Sequence, residues 1–308
     1  MKCLVMGGSG FIGSHLIRAL HRQGHEVLGY SRHRPGASAV SIGGEVPWVV
    51  GDLANRALVA DILRGVDICF HLVSTTLPKT SNDDPVNDIQ TNVCDTVALL
   101  QAAISAKVRR FVFISSGGTV YGVPKSVPIE ETHVLEPTSS YGIGKLAIEH
   151  YLRLFHTLHG LNHVILRLSN PFGPGQDPNR SQGAVSVFLQ RVLHNREIEI
   201  WGDGSVVRDY VYIEDAIRGI LAAANHSGPE RIFNIGSGTG RSLNELIEMI
   251  EVVSGKRATV RYLPKRDFDV PANILSLGLA ARVLGYQPTI SFETGLLKTL
   301  GWLDGSSG

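Results

Sequence analysis

Met6-Gly7-Gly8-Ser9-Gly10-Phe11-Ile12-Gly13-Ser14-His15-Leu16 places glycines at 7, 10 and 13, between a short apolar run and a helical pattern. Lacking Cβ, such glycines permit a tight turn, let backbone N–H groups approach a pyrophosphate, and allow helix and strand to touch. The helix N-terminus adds positive potential for phosphates. A glycine-rich turn without a ligand is the plainer alternative. Here strand, loop and helix arrive in the order that dinucleotide binding requires. The stretch therefore predicts a dinucleotide held on Gly7, Gly10, Phe11, Ile12 and Gly13.

Outward from this turn, β-branched runs alternate with helical patterns. Lys2 to Met6, Glu26 to Tyr30, Val46 to Val50, Asp67 to Val73, Phe111 to Ser115 and Val164 to Leu168 read as strands. Gly13 to Gln23, Leu58 to Leu63, Asn87 to Ala106 and Tyr141 to His159 read as helices between them. This alternation predicts an α/β fold with a doubly wound parallel sheet, a Rossmann domain over residues 1–169. Composition shifts at Asn170-Pro171-Phe172-Gly173-Pro174-Gly175, where Pro and Gly break regular structure. Residues 170–308 are expected to form a smaller C-terminal α/β lobe, with interleaved boundaries. Helices are expected at Ala184 to His194, Asp215 to Asn225 and Leu243 to Ser254, with strands at Ile198 to Trp201 and Arg231 to Ile235. Gly305-Ser306-Ser307-Gly308 reads as a loose tail. A cleft between two such lobes is where a small molecule binds.

The end of the second strand distinguishes NAD from NADP: an acid there bonds the ribose 2′-hydroxyl, whereas Arg accommodates a 2′-phosphate. The chain offers Gly29-Tyr30-Ser31-Arg32-His33-Arg34, with no acid. Ser31 and Arg32 tilt the choice toward NADP, and both cofactors stay open. Asp52 and Leu53, after the third strand, are placed to reach the adenine, although Asp52 can equally cap the next helix. Leu72, Val73 and Ser74, ending the fourth strand, complete the expected cofactor wall.

Formal net charge is +1, which removes the electrostatic argument for a nucleic-acid or anionic-membrane surface. No run of 18 apolar residues exists, and the start reads as a first strand rather than a secretory signal. Cys3, Cys69 and Cys94 show no CxxC spacing and sit in apolar stretches, as buried reduced thiols of a cytoplasmic protein do. No metal site is expected.

Ser139-Ser140-Tyr141-Gly142-Ile143-Gly144-Lys145 puts Tyr141 and Lys145 four residues apart, on one helical face. An ammonium and a nicotinium ring beside a phenol favour its phenolate, so a lowered Tyr141 pKa is expected. Tyr141 can then take a hydroxyl proton while hydride leaves the same carbon, or return it to a ketone.

Glycine turn and Tyr–Lys pair together resemble the extended short-chain dehydrogenase/reductase family, in its nucleotide-sugar epimerase and dehydratase branch, over nearly the whole chain. The resemblance includes Val112 to Gly122 and Thr91-Asn92-Val93. It implies that Asn92 shapes the active-site helix and a water relay. It implies further that Arg167-Leu168-Ser169-Asn170-Pro171 and Arg208-Asp209-Tyr210-Val211-Tyr212-Ile213 grip a nucleotide sugar, and that Arg266 to Ala272 binds its diphosphate. Arg208 and Arg266 have the fork geometry for diphosphate oxygens, Asn170 can donate to the same group, and Asp269 lies in the arginine segment. The family often dimerises through two helices per subunit, here Asn87 to Ala106 and Tyr141 to His159, so a homodimer is expected.

The chain departs from the family at Gly117, where a Ser or Thr usually bonds the substrate hydroxyl. On an extended strand Thr119 shares the side of Gly117, and Ser116 serves if the glycines bend the chain. Gly117-Gly118-Thr119 also lacks the acids of dehydratases and decarboxylases. Two redox chemistries remain: a C4 epimerase on a UDP-hexose or UDP-N-acetylhexosamine, which the motif runs resemble more, and an NADP-dependent 4-keto-sugar reductase. A non-catalytic NAD(P)-binding module is the third reading, since fold alone does not prove chemistry. The resemblance further implies that the residue after the Pro-Ala of the arginine segment limits the sugar 2-substituent; Asn273 stands there, smaller than a Tyr, so room for an N-acetyl group is expected.

Overall fold

A computed structural model describes residues 1–35, 46–77, 80–179, 183–265 and 270–305. In chain order, its first half runs β1 (Lys2–Met6), α1 (Phe11–Arg22), β2 (Glu26–Ser31), β3 (Trp48–Val50), α2 (Arg56–Ile62) and β4 (Ile68–His71). The helix expected over Asn87 to Ala106 is one rod in three pieces. They are α3 (Pro85–Asp88), a π-helical turn (Ile89–Cys94) and α4 (Asp95–Ser105). Then come β5 (Arg110–Ser116), α5 (Ser140–His159) and β6 (His163–Leu168).

The second half adds β7 (Asn170–Phe172), α6 (Ala184–Leu193), β8 (Ile198–Trp201), β9 (Val207–Tyr212), α7 (Ile213–Asn225) and β10 (Ile232–Ile235). It ends with β11 (Gly240–Ser242), α8 (Leu243–Ser254), β12 (Val260–Leu263), β13 (Ala272–Asn273), α9 (Gly278–Leu284) and α10 (Phe292–Gly305). Gly305, read from sequence as tail, closes this last helix.

One sheet of seven strands carries the architecture, in the order β10-β6-β5-β4-β1-β2-β3, with every neighbouring pair parallel. Strand order reverses between β1 and β4, so a crevice opens beyond their carboxyl ends. Strand β5 shows why the sheet folds as it does. All its residues through Ser115 are buried, as a strand covered by helices on both faces must be. Because β10 pairs with β6, the chain returns to the large sheet after residue 170, and a cut at 169/170 does not separate two continuous lobes. The remainder of the second half builds a small mixed sheet, β11-β9-β13 with β7 on β9, and the pair β8–β12.

Helix α5 is fixed at both ends. The Ser139 hydroxyl accepts from Gly142 N at 3.2 Å, and Gly160 ends the helix in the left-handed region at φ 69°. Cys3 and Cys69 are buried, and burial pushes the Cys3 thiol up to about 11. Cys94, the last residue of the π turn, is exposed, against expectation.

Candidate active site

At the carboxyl end of β1 the chain turns through Gly7 at φ +86°. Any Cβ on Gly7 would lie about 3.1 Å from the Leu72 carbonyl carbon, and one on Gly13 would collide with the Gly7 carbonyl oxygen. Gly10 N donates to that same oxygen at 3.0 Å. No side chain caps the N-terminus of α1, so the amides of its first turn face the crevice without an internal acceptor. Phe11 and Ile12, half-buried, open the helix there. This is a cradle only glycines can form, and it suits a dinucleotide's diphosphate.

The crevice walls are placed as follows. Leu72 and Val73 are half-buried and Ser74 is exposed; Leu53 is buried in the core. Asp52 is exposed and accepts from Ala54 N at 2.9 Å, while the cap of α2 is Asn55, whose side chain accepts from Leu58 N. Ser31 does not suit the 2′-phosphate role expected of it. It is buried, and its hydroxyl donates to the His33 carbonyl at 2.5 Å, leaving only the exposed Arg32 to argue for NADP.

Tyr141 and Lys145 occupy the first turns of α5. Tyr141 N donates to Ser81 Oγ at 3.0 Å and Ser140 N to Asn82 Oδ1 at 2.8 Å, which seats the helix start on the loop after β4. The Tyr141 side chain is half-buried there. Lys145 Nζ donates to the Ile114 carbonyl at 3.0 Å and lies 4.9 Å from the Phe113 ring centre and 5.5 Å from that of Tyr141. In the protein's own field burial pushes the Tyr141 phenol up to about 12, and the Asp88 charge adds to the rise; the lowering expected from sequence needs the nicotinium charge as well. Burial also depresses Lys145, to about 8, against the upward pull of Asp88 and Glu149.

The hydroxyl question has a partial answer. Strand β5 ends at Ser116 and the chain bends there, with Thr119 N and Val120 N both donating to the Ser116 carbonyl at 3.3 and 3.1 Å. The extended backbone assumed from Gly117 to Thr119 therefore fails. Ser115 is turned inward, its hydroxyl donating to Glu149 Oε1 at 2.6 Å. Thr119 carries a buried hydroxyl with no partner among the described residues, beside Gly142 at the start of α5. Ser116 is half-buried at the strand end.

Asn92, on the π turn, receives Thr75 N at 2.9 Å and donates to the Asp88 carbonyl and carboxylate at 3.1 and 3.0 Å. Asn170 and Arg208 meet along a cavity of about 300 Å³ walled by Phe172, Gln176, Trp201 and Tyr210. Asn170 Nδ2 donates to the Asp209 carbonyl at 3.0 Å, and Arg208 reaches the Val270 carbonyl at 2.7 Å. Asn273 is 1% exposed and lies outside that cavity, its amide donating to the Gly117 carbonyl at 2.9 Å. Arg266 and Asp269 fall outside the described residues.

Arg167 departs from the expected grip on substrate. It is fully buried and bonds Glu149 Oε2 at 2.7 Å, the Tyr121 hydroxyl at 3.1 Å and the Glu131 carbonyl at 3.0 Å. Sequence reasoning also missed Asp88 and Ser140. A carboxylate four residues before Asn92 is a local signal, but its contact with α5 spans 52 residues.

A glycine cradle at β1, a Tyr–Lys pair on α5 and a cavity in the second lobe lined by Asn170 and Arg208 define an extended short-chain dehydrogenase/reductase. The model of the NAD dependent epimerase/dehydratase family matches residues 3–236, and the chain belongs to that family. It is 34% identical to the UDP-glucose 4-epimerase of Mycolicibacterium smegmatis over 305 residues, 97% of each chain. The crystal structure of the Thermotoga maritima UDP-glucose 4-epimerase with UDP-glucose superposes with a TM-score of 0.94 at 34% identity, covering 100% of both chains. The Thermus thermophilus UDP-glucose 4-epimerase in complex with NAD gives 0.92 at 33%, covering 99% of this chain and 100% of the other. Among the described residues no helix is long and apolar enough to cross a membrane.

Proposed function

We propose that this protein is a C4 epimerase of UDP-sugars that works with NAD. The observation that carries the reading is the Tyr141–Lys145 pair on α5, with Lys145 Nζ 5.5 Å from the Tyr141 ring centre and held on the Ile114 carbonyl near the carboxyl end of β5. Relatives that bind NAD and UDP-glucose support it, and the engagement of the Ser31 hydroxyl removes half of the sequence argument for NADP.

The cradle of Gly7, Gly10, Phe11, Ile12 and Gly13 holds the diphosphate of the cofactor, with Asp52 and Leu53 toward the adenine and Leu72, Val73, Ser74 and Asn92 along the crevice. Bound in that cradle, NAD would supply a reversible hydride acceptor for the sugar C4 and a positive charge in the crevice. Tyr141 exchanges the proton of the C4 hydroxyl. Lys145, as ammonium, stabilises negative charge on that phenol. Thr119 or Ser116 donates to the sugar oxygen in place of the residue missing at Gly117. Asn170, Arg208 and Arg266 hold the nucleotide diphosphate, and the 4-keto sugar turns within the cleft before its C4 hydrogen returns. Asn273, folded back onto the Gly117 carbonyl instead of lining the cavity, leaves space that a larger ring would take, so UDP-N-acetylhexosamines are accepted beside UDP-hexoses. Equal failure of UDP-N-acetylglucosamine and UDP-N-acetylgalactosamine, with turnover of UDP-glucose, removes that part.

We place the enzyme in the cytoplasm as a homodimer. Its three cysteines are unpaired. On α5, Ile143, Tyr151, Leu154 and Leu158 are 54, 38, 46 and 62% exposed. Their spacing of 8, 11 and 15 residues from Ile143 puts them on one face, a surface that suits a second copy of the chain.

The test is to denature freshly purified protein, identify the released dinucleotide, and follow UDP-glucose by proton NMR. Retained NAD with formation of UDP-galactose supports the epimerase. An empty site that binds NADPH and drives reduction of a 4-keto sugar replaces it with the reductase.

A further inference from the structure

Asp88 ends α3 and is 1% exposed. Its carboxylate accepts from Thr76 Oγ1, from Asn92 Nδ2 at 3.0 Å and from Ser140 Oγ at 2.7 Å. All three donors are uncharged, and among the described residues Asp88 forms no ion pair. Hydrogen bonds alone offset only part of the cost of burying a carboxylate.

What lies beside it is the start of α5. Asp88 touches that helix at Ser140 and again at Gly144, where a Cβ would stand 3.7 Å from Asp88 Oδ2. Lys145 is the next residue. The charged and titratable groups around Lys145 are Asp88, Tyr141, Glu149 and His71 of β4. Glu149 is already matched by the buried Arg167, 2.7 Å away. His71 is neutral, held down to about 3 by burial and by Lys145 itself. That leaves Asp88 as the one buried carboxylate near Lys145, among the described residues, without a cation of its own.

We propose that Asp88 is a positioning residue that acts through Lys145, its carboxylate fixing the first turn of α5 and supplying the counter-charge that keeps the lysine an ammonium. The π turn that follows Asp88 serves the same arrangement, since it lets Asn92 reach back to both the carbonyl and the carboxylate of Asp88. Burial already pulls Lys145 down to about 8 with Asp88 present. Without the carboxylate the ammonium would be lost nearer neutrality. The inference rests on the catalytic reading of Tyr141 and Lys145, and its test has an arm independent of that reading.

The experiment compares Asp88→Asn with the unaltered protein by NMR titration of 13Cε-labelled lysine, Lys145 being assigned with Lys145→Met. In parallel, kcat and KM for UDP-glucose are measured against pH. The Lys145 midpoint should fall by roughly 1–2 pH units, the alkaline limb of kcat should fall with it, and KM should stay within about twofold. Ser140→Ala, which removes a hydrogen bond and keeps the charge, should leave both midpoints in place. If Asp88→Asn does not fold, Asp88→Leu substitutes an apolar group of similar bulk and is read in the same way. An unmoved Lys145 titration in the folded variant overturns the proposal, as does an Asp88→Asn loss matched by Ser140→Ala. A shifted titration in a protein without epimerase activity would instead retain the Asp88–Lys145 coupling and sink the functional reading.

Discussion

Lys145 Nζ stands 5.5 Å from the centre of the Tyr141 ring while its proton is directed to the Ile114 carbonyl at 3.0 Å. The ammonium is thus anchored to the strand that ends at Ser116 and presented to the phenol from one side. Tyr141 is a phenol in this protein's own field, and it needs further positive charge to act at neutral pH.

Tyr141→Phe should lower turnover of UDP-glucose by about 10²–10⁴-fold with dinucleotide content unchanged, read by steady-state kinetics and by absorbance of the released cofactor. Thr119→Val should cost more turnover than Ser116→Ala, because only the Thr119 hydroxyl is buried without a partner. A smaller loss for Thr119→Val moves the role to Ser116.

Gly13→Ala should abolish retention of the dinucleotide, since the added methyl meets the Gly7 carbonyl. Gly301→Ala, on an open face of α10 with nothing within 4 Å, should retain the cofactor and stabilise the fold by about 0.5–1 kcal/mol. Dinucleotide content and urea unfolding of the two variants check this.

Arg167→Met leaves Glu149 buried and unpaired, so unfolding free energy should fall by about 3–5 kcal/mol. Adding Glu149→Leu should recover most of it, because an apolar pair can replace a buried ion pair at little cost. No recovery in the double variant would mean that Ser115 and Tyr121 depend on the pair more than its charges do.

Burial holds His15 and His163 down to about 4 and His71 to about 3. Between pH 6.5 and 5 the unfolded chain therefore binds these protons and the folded chain does not, so stability should fall as pH falls. Each histidine contributes a slope of about 1.4 kcal/mol per pH unit below its ordinary value. Urea midpoints across that range, flattened in part by His71→Phe, are the check.

The large sheet was legible because each of its strands carries an apolar run and each connection a helical period, local signals that need no partner. The mixed sheet was not: Ala272–Asn273 is two residues long and exists only because it pairs with Val207–Arg208. The same division runs through the site. Glycines 7, 10 and 13 and the Tyr141–Lys145 spacing are local and were read directly. Arg167 was misjudged because its partner Glu149 lies across the core, and the upward push of burial on Tyr141 was not legible because it depends on what the fold places around the ring. Ser31 failed as a phosphate ligand through a bond to His33, two residues on, that strand reasoning does not show.

Epimerisation at C4 by a lent hydride fixes where the C4 hydrogen goes. UDP-[4-²H]glucose incubated with the purified protein should yield UDP-galactose that keeps its deuterium at C4, as a hydride lent within one active site and returned to the same carbon requires. Loss of deuterium to water or to an exchanging pool of reduced cofactor, or no interconversion at all, would contradict it.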